Sequence, residues 1–536
     1  MTSENPDVMV IGAGASGCIL ASRLTEDPNR RVLLLEAGPD FADVSALPEA
    51  LRHAYDNPKD PDPRDLWAEA FGPTTAFGWN LTATTTPAMD PVYLPRGRVV
   101  GGSAAVNCVV FLRGKRDDYD DWEAAGNPGW RYEDVLPYFC RSERDLDFVA
   151  DYHGTDGPIP VQRVARPSWH PVHAAFHDAC LGTGFSACSD HNAPLATGVG
   201  PLPQNHVDAI RWSTAVGYLL GARSRANLTI EANSLVHRIL FDGDRAVGVE
   251  VEREGRVTKR YADEILVCGG VFATPHLLMR SGLGAAIQLR EHGIDVVADL
   301  PGIGENLRDH PTGPMVFRTK PNIPLSWRSV RMNTALCYTA KGSSLSNDMV
   351  MKPCLNAVDG DFGMPGLRPI GFYLVNQVLG ARSTGTVKLA SADPRAQPVI
   401  DLALLSHPDD LARMRQGIRL ALEVVHQPEF REIVDERIFP IDDDLASDDA
   451  IDRCLLRNCD LSHHSTGTCK MGPERDEMAV VDATGRVRGT QALRVVDASI
   501  IPGMLRANPT ATVVMLAEKI ADAILGHGPS RVSTSR

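Results

Sequence analysis

The stretch Val8-Met-Val-Ile-Gly12-Ala-Gly-Ala-Ser-Gly17, continued by residues 18–25 and by Arg31-Val-Leu-Leu-Leu-Glu36, decides the fold. An unbroken apolar run bounded by turn residues suits a strand buried on both faces, as in a parallel sheet. Two such runs flank a helical stretch, which makes a βαβ unit. Gly12, Gly14 and Gly17 form GxGxxG at the junction of strand and helix. The first glycine allows the tight turn, the second lets a pyrophosphate reach the backbone, and the third lets helix and strand pack closely. The phosphates then sit at the helix N-terminus, where unpaired N–H groups and the dipole favour negative charge. Glu36 ends the second strand, nineteen residues after Gly17. A carboxylate there can accept hydrogen bonds from both ribose hydroxyls and disfavours a 2′-phosphate. The unit therefore predicts NAD or FAD without choosing between them.

Around this unit the composition is that of an ordinary globular protein. The chain has 536 residues, 43% hydrophobic and 23% charged, enough for two to four domain-sized units. Acidic residues outnumber basic ones by 68 to 54, a net charge of −14 with no Lys or Arg block, which argues against nucleic acid or an anionic membrane as partner. No apolar run is long enough to span a bilayer, and the N-terminus lacks the pattern of a secretory signal. The eleven cysteines are scattered from Cys18 to Cys469 with no CxxC spacing, as expected of free thiols in a reducing compartment. A cytoplasmic protein is the expectation. No clustered carboxylates or histidines along the sequence suggest a metal site.

Further along, residues 145–209 show few periodic runs. Residues 227–251 alternate apolar and polar side chains about the turn Asp242-Gly243-Asp244, which predicts a meander of strands. Residues 261–269 form another buried strand leading to a helix at 273–281. Strand-like runs occur at 351–355 and 371–375, an amphipathic helix at 409–425 and a last long helix at 510–525.

Four later motifs narrow the choice of ligand. They are Gly97-Arg-Val-Val-Gly-Gly-Ser-Ala-Ala-Val-Asn107, Gly270-Val-Phe-Ala-Thr-Pro-His-Leu-Leu-Met-Arg-Ser-Gly-Leu-Gly284, Leu300-Pro-Gly-Ile-Gly-Glu-Asn-Leu-Arg-Asp-His310, and a C-terminal set. That set comprises His463-His464-Ser-Thr-Gly-Thr-Cys-Lys-Met-Gly472, Leu493-Arg-Val-Val-Asp-Ala-Ser499 and Asn508-Pro-Thr510. In this order, over nearly the whole chain, they resemble the glucose-methanol-choline (GMC) family of FAD-dependent oxidoreductases. The segments from Gly97 and Gly270 look like the two family signatures. They depart at Ala104 and Val271, where relatives carry Ser, Thr or Gly and a small residue, but the glycine frame is intact.

The resemblance implies an α/β fold: a Rossmann-like FAD-binding domain of GMC type with an inserted α+β substrate domain containing an antiparallel sheet. The FAD domain is expected from residues 1–155, 223–309 and 461–536, and the substrate domain from 156–222 and 310–460. FAD is expected to meet Gly12, Gly14, Ser16, Gly17, Glu36 and Ala37 of the first unit, and Arg98, Gly101, Gly102, Ser103, Asn107 and Val109 of the second segment. It also implies Val236 at the adenine, Asp497 and Ala498 near the ribityl-phosphate, and Pro509 and Thr510 at the start of the last helix. Val106 stands where some members tether FAD through a His, so the resemblance implies non-covalent FAD.

Oxidation of an alcohol by a flavin needs a base for the hydroxyl proton, an acceptor for the hydride and stabilisation of the developing charge. By resemblance His464 is the base, and Asn508, 44 residues later, is its partner at the second active-site position. An amide can donate and accept hydrogen bonds but cannot act as a base. His463 is adjacent in sequence, so it faces a different direction and is expected to shape the substrate pocket. His310 reads as structural and Cys469 as a packed thiol. The expected partners are a small-molecule primary alcohol, either a choline-like alcohol or a hydroxymethyl group on a ring or sugar, and dioxygen or another electron acceptor. The alternatives are an FAD-containing lyase of hydroxynitrile-lyase type, and a nicotinamide dehydrogenase, which leaves the later glycine segments unexplained.

Overall fold

The two apolar runs pair side by side. In the computed structural model, β1 (Val8–Ile11) and β2 (Val32–Leu35) are parallel, Val8 opposite Val32, and every residue of both is buried. The structure describes residues 5–55, 66–73, 75–358 and 368–527. Strands apolar throughout require cover on both faces, and each fully buried Val, Ile or Leu contributes about 1.5–3 kcal/mol. β3 (Leu228–Glu231), β4 (Glu264–Val267) and β5 (Leu493–Val495) complete a five-stranded parallel sheet in the order β3-β2-β1-β4-β5. α1 (Ala15–Leu24) connects β1 to β2 and packs against the last helix, α2 (Pro509–Leu525). Both helices are buried nearly all round, as befits helices in the centre of a large domain. The acidic groups that α2 buries are matched: Arg141 reaches Asp522 at 2.9 Å and Glu518 at 2.6 Å.

The meander expected at 227–251 is divided. Its first strand is β3, the edge of the parallel sheet, and the chain turns through Asn233 in the left-handed region (φ 53°). The strands Ser234–Asp242, Arg245–Arg253 and Arg256–Tyr261 then form an antiparallel ribbon. Alternation reports a half-covered strand, and an edge strand of a parallel sheet is half-covered too.

The second large sheet is antiparallel. It runs Val434–Phe439, Pro311–Thr319, Pro369–Val378, Met349–Val358, Thr334–Tyr338, Gly198–Pro201, with the short strand Asp460–Leu461 also on Pro311–Thr319. Helices Pro171–Gly182 and Pro408–Val425 pack on it. The helix Pro171–Gly182 and the three short strands within 145–209 escaped the sequence reading. The buried stripe of that helix is Val172, His173, Ala175, Phe176, Ala179 and Cys180, whose small and polar members mask the helical period. Among the described residues no helix is long and apolar enough to cross a membrane.

Candidate active site

The glycine loops make a cradle of bare backbone. A Cβ on Gly17 would lie 1.9 Å from the Gly12 carbonyl oxygen, so the start of α1 rests directly on the first turn. Gly102 (φ 53°) opens the short turn Gly102–Ala105, and a Cβ there would lie 2.7 Å from the Gly14 Cα. The second segment, with Gly101, therefore packs backbone to backbone on the first. Gly14 itself faces open space apart from one contact at 3.8 Å. Ser16 is buried in the first turn of α1. Ser103 is exposed among buried neighbours.

Glu36 is buried, and its two carboxylate oxygens accept from the Ala13 N–H at 2.9 Å and the Gly38 N–H at 2.8 Å. Burial pushes its pKa up to about 7 against those donors and the Arg98 charge. Each oxygen keeps a lone pair for a sugar hydroxyl. Arg98 lies over the Trp79 ring and leaves its buried Nε without a partner. Val236 is buried just before a bulge in a strand whose first N–H, that of Ser234, donates to the Glu36 carbonyl, so it lies at the same end of the cradle as Glu36 and Ala37. An open helix N-terminus, a carboxylate at the second strand end and an orphaned guanidinium N–H fit a dinucleotide.

Asp497 is differently used. Its carboxylate accepts from the Gly270 N–H, the Thr274 hydroxyl and the Ser499 N–H, at 2.8, 2.6 and 2.8 Å. Its side chain thus ties the C-terminal segment to the second signature. Asn107 accepts from the Val109 N–H at 3.0 Å and places its amide 3.5 Å from the Thr510 hydroxyl, beside Pro509. The second segment and the start of α2 therefore meet.

His464 and Asn508 come together where these segments converge. The Asn508 amide nitrogen lies 2.7 Å from His464 Nε2. Asn508 precedes α2 as a cap would, but its side chain makes no capping bond. His464 is held by its backbone: its N–H donates to Asp309 at 3.1 Å, and the Ser465 hydroxyl donates to the same carboxylate at 2.6 Å. Arg96 adds a hydrogen bond to Ser465 at 2.9 Å.

The unexpected member is His310. The backbone of Arg308 pairs with that of Thr466 in both directions. Two residues on, the same antiparallel register sets His310 beside His464, with their Nδ1 atoms 2.9 Å apart. His310 Nε2 lies 2.7 Å from the Leu505 carbonyl, which can only accept. Nε2 of His310 therefore carries the proton, and its Nδ1 accepts from the Nδ1–H of His464. His464 is left with an unprotonated Nε2, accepting from Asn508. The sequence shows the motif that ends in His310, and only the fold shows its pairing partner.

Burial, reinforced by the neighbouring His310, Lys352, His463 and Arg96, holds His464 well below the usual histidine range. His310 is pushed down to about 3, chiefly by burial and also by Lys352. His463 adopts φ 61° and turns its ring edge-on to Phe71 at 4.9 Å; burial and Arg96 bring it to about 3 as well. Cys469 is a fully buried thiol that burial holds well above its ordinary pKa.

Models of the GMC oxidoreductase family match residues 7–312 and 381–517. The chain belongs to the GMC oxidoreductase family. This GMC oxidoreductase is 37% identical to mitochondrial choline dehydrogenase of Mus musculus, over 97% of its own length and 89% of that protein's. It is 35% identical to oxygen-dependent choline dehydrogenase of Brucella anthropi, over 98% and 96%. Its fold matches the crystal structure of pyridoxine 4-oxidase from Mesorbium loti with a TM-score of 0.88 and 28% identity, covering 98% of this chain and 100% of that one. It is an FAD-binding enzyme of the alcohol-oxidising kind.

Proposed function

We propose that this GMC oxidoreductase oxidises a primary alcohol to the aldehyde, with His464 as base and Asn508 as second partner of the hydroxyl. The hydrogen-bond chain Leu505–His310–His464–Asn508 carries the reading, because it leaves Nε2 of His464 unprotonated toward Asn508. FAD bound at the cradle supplies the acceptor for the carbinol hydride. The substrate hydroxyl enters between the two side chains, donating to Nε2 while the Asn508 amide donates to its oxygen. His464 then carries the proton, with His310 still accepting from its Nδ1–H. Burial and the surrounding cations favour release of that proton once the aldehyde has formed.

The residues that would hold FAD are those of the cradle: the α1 N-terminus, Glu36, Arg98, Ser103, the 497–498 backbone and the start of α2. Val106 offers no side-chain nucleophile, which supports non-covalent binding. The segments 1–155, 223–309 and 461–536 supply all five parallel strands, which supports their assignment to the FAD domain. Eleven cysteines without a disulfide support a reducing, cytoplasmic setting.

Anaerobic addition of an alcohol panel to the flavoprotein tests the reading. A primary alcohol should bleach the visible flavin band, and His464→Ala should keep the flavin but slow bleaching by about 10² to 10⁴. Bleaching at full rate in that variant would remove His464 as the base. Flavin that no alcohol reduces would return weight to the lyase.

A further inference from the structure

Lys352 lies mid-strand in Met349–Val358, inside the antiparallel sheet. The residue is 7% exposed, and among the described residues its ammonium makes no hydrogen bond or ion pair. Burial pushes its pKa down, and among the described residues the groups that favour its charge are the thiols of Cys354, Cys108 and Cys337, with no carboxylate among them. A buried cation without a counter-charge is costly, and it persists where a ligand supplies what the protein omits.

The sheet aims this side chain at the active site. Met349 and Asn376 face the helix Pro408–Val425, each within about 3.5 Å of where a Cβ on Gly417 would stand. Side chains alternate along a strand, so Val350 and Lys352 face the other way. Across the ladder Val350 pairs with Gln377 and Lys352 with Val375. Gln377 donates to the Ser462 hydroxyl at 2.6 Å, two residues from His464. The Lys352 face of the sheet is therefore the one that covers the reacting pair. Its charge is felt by His464, by His310 and by Cys108, next to Asn107.

We propose that the alcohol carries a carboxylate, and that Lys352 binds it. This rests on the alcohol-oxidation reading above and narrows it: a hydroxy acid or a carboxylated hydroxymethyl ring fits the site, whereas the quaternary ammonium of choline meets a like charge. Asp460, which burial and the nearby Asp309 push up to about 6, is an acidic group that could meet a cationic substrate, and it is not among the groups that act on Lys352.

The test compares alcohols of one shape and three charges: 4-(hydroxymethyl)benzoate, 4-(hydroxymethyl)benzamide and 4-(aminomethyl)benzyl alcohol, with 3-hydroxypropanoate and choline as aliphatic counterparts. Anaerobic flavin reduction should favour the anions. Lys352→Met should lower kred/Kd for them by about thirtyfold or more relative to the amide, and Lys352→Arg should restore part of the preference. Binding is read separately from turnover, as the shift of the flavin spectrum by benzoate against benzamide, which should also depend on Lys352. Equal loss on all alcohols in Lys352→Met would overturn the proposal and assign Lys352 to the reacting oxygen. A preference for choline or the amine would overturn it in favour of Asp460. Lys352-dependent benzoate binding without reduction by any alcohol would keep the anion site and sink the alcohol-oxidation reading instead.

Discussion

A histidine acts as a base only through a nitrogen that carries no proton, so the tautomer of His464 matters as much as its position. His310 sets that tautomer through one acceptor, the Leu505 carbonyl. It touches neither hydroxyl nor cofactor in this scheme and is a positioning residue. His310→Phe should therefore slow flavin reduction by about 10² while leaving the alcohol Kd within a few-fold. His310→Gln, whose amide can accept from His464 and donate to Leu505, should recover much of the rate in stopped-flow traces. Equal losses in Phe and Gln variants would mean that His310 only fills space. The pH dependence has a definite sign. The free base form of His464 exists above its pKa, which burial and neighbouring charges hold below 6.5. The rate of reduction should stay on its plateau as pH falls past 6.5 and decline only in more acidic solution.

At the scale of elements, the cofactor cradle depends on two loops distant in sequence meeting through backbone alone. Gly102 and Gly14 approach so closely that a methyl group would strike main chain, which cannot rotate away. The left-handed backbone of Gly102 adds roughly 1–2 kcal/mol for any residue with a Cβ. Gly102→Ala should lose FAD on gel filtration, read as the ratio of flavin to protein absorbance, with affinity lowered about tenfold or more. Gly221→Ala is the control, since that glycine lies in the short helix Leu220–Ala222 with nothing within 4 Å of the added methyl. Full FAD retention by Gly102→Ala would show that the two loops do not hold the cofactor jointly. The same logic governs the two histidines: the Arg308–Thr466 bridge aligns two short extended segments, and without that register neither histidine could reach the other.

Over the whole molecule, the largest buried group of charges is balanced locally, in contrast to Lys352. Glu143, Asp145 and Asp190 meet Arg113, Arg163 and His153 in one buried cluster, three charges against three. Ligand atoms of Glu143, Asp145 and His153 lie within 4.8 Å of one another, the spacing of a metal site, but the guanidinium groups already neutralise the carboxylates. Burial opposes charge on His153, yet its bonds to Asp190 and Glu143 outweigh that and raise it to about 9. An unfolded histidine titrates near 6.5. The stability due to His153 is thus complete below pH 6.5 and is lost as pH rises through about 9. Thermal melts of the FAD-loaded protein should decline over that window more steeply than those of His153→Gln, the difference being about 1–3 kcal/mol. Parallel pH curves would remove His153 from the charged cluster. The sequence by itself determined the βαβ unit, because the apolar runs, the glycines and Glu36 are local, and the order of its motifs pointed to FAD, His464 and Asn508. It missed what depends on register between distant strands. His310 and His464 are 154 residues apart, and nothing near either one encodes their pairing. The direction of Lys352 was equally hidden: a lysine in an apolar run looks like a surface residue until the helices covering one face of the sheet turn it toward the active site. Only the tertiary structure decides such contacts, because the strand ladder and the layer packed behind it choose which side chains share a cavity.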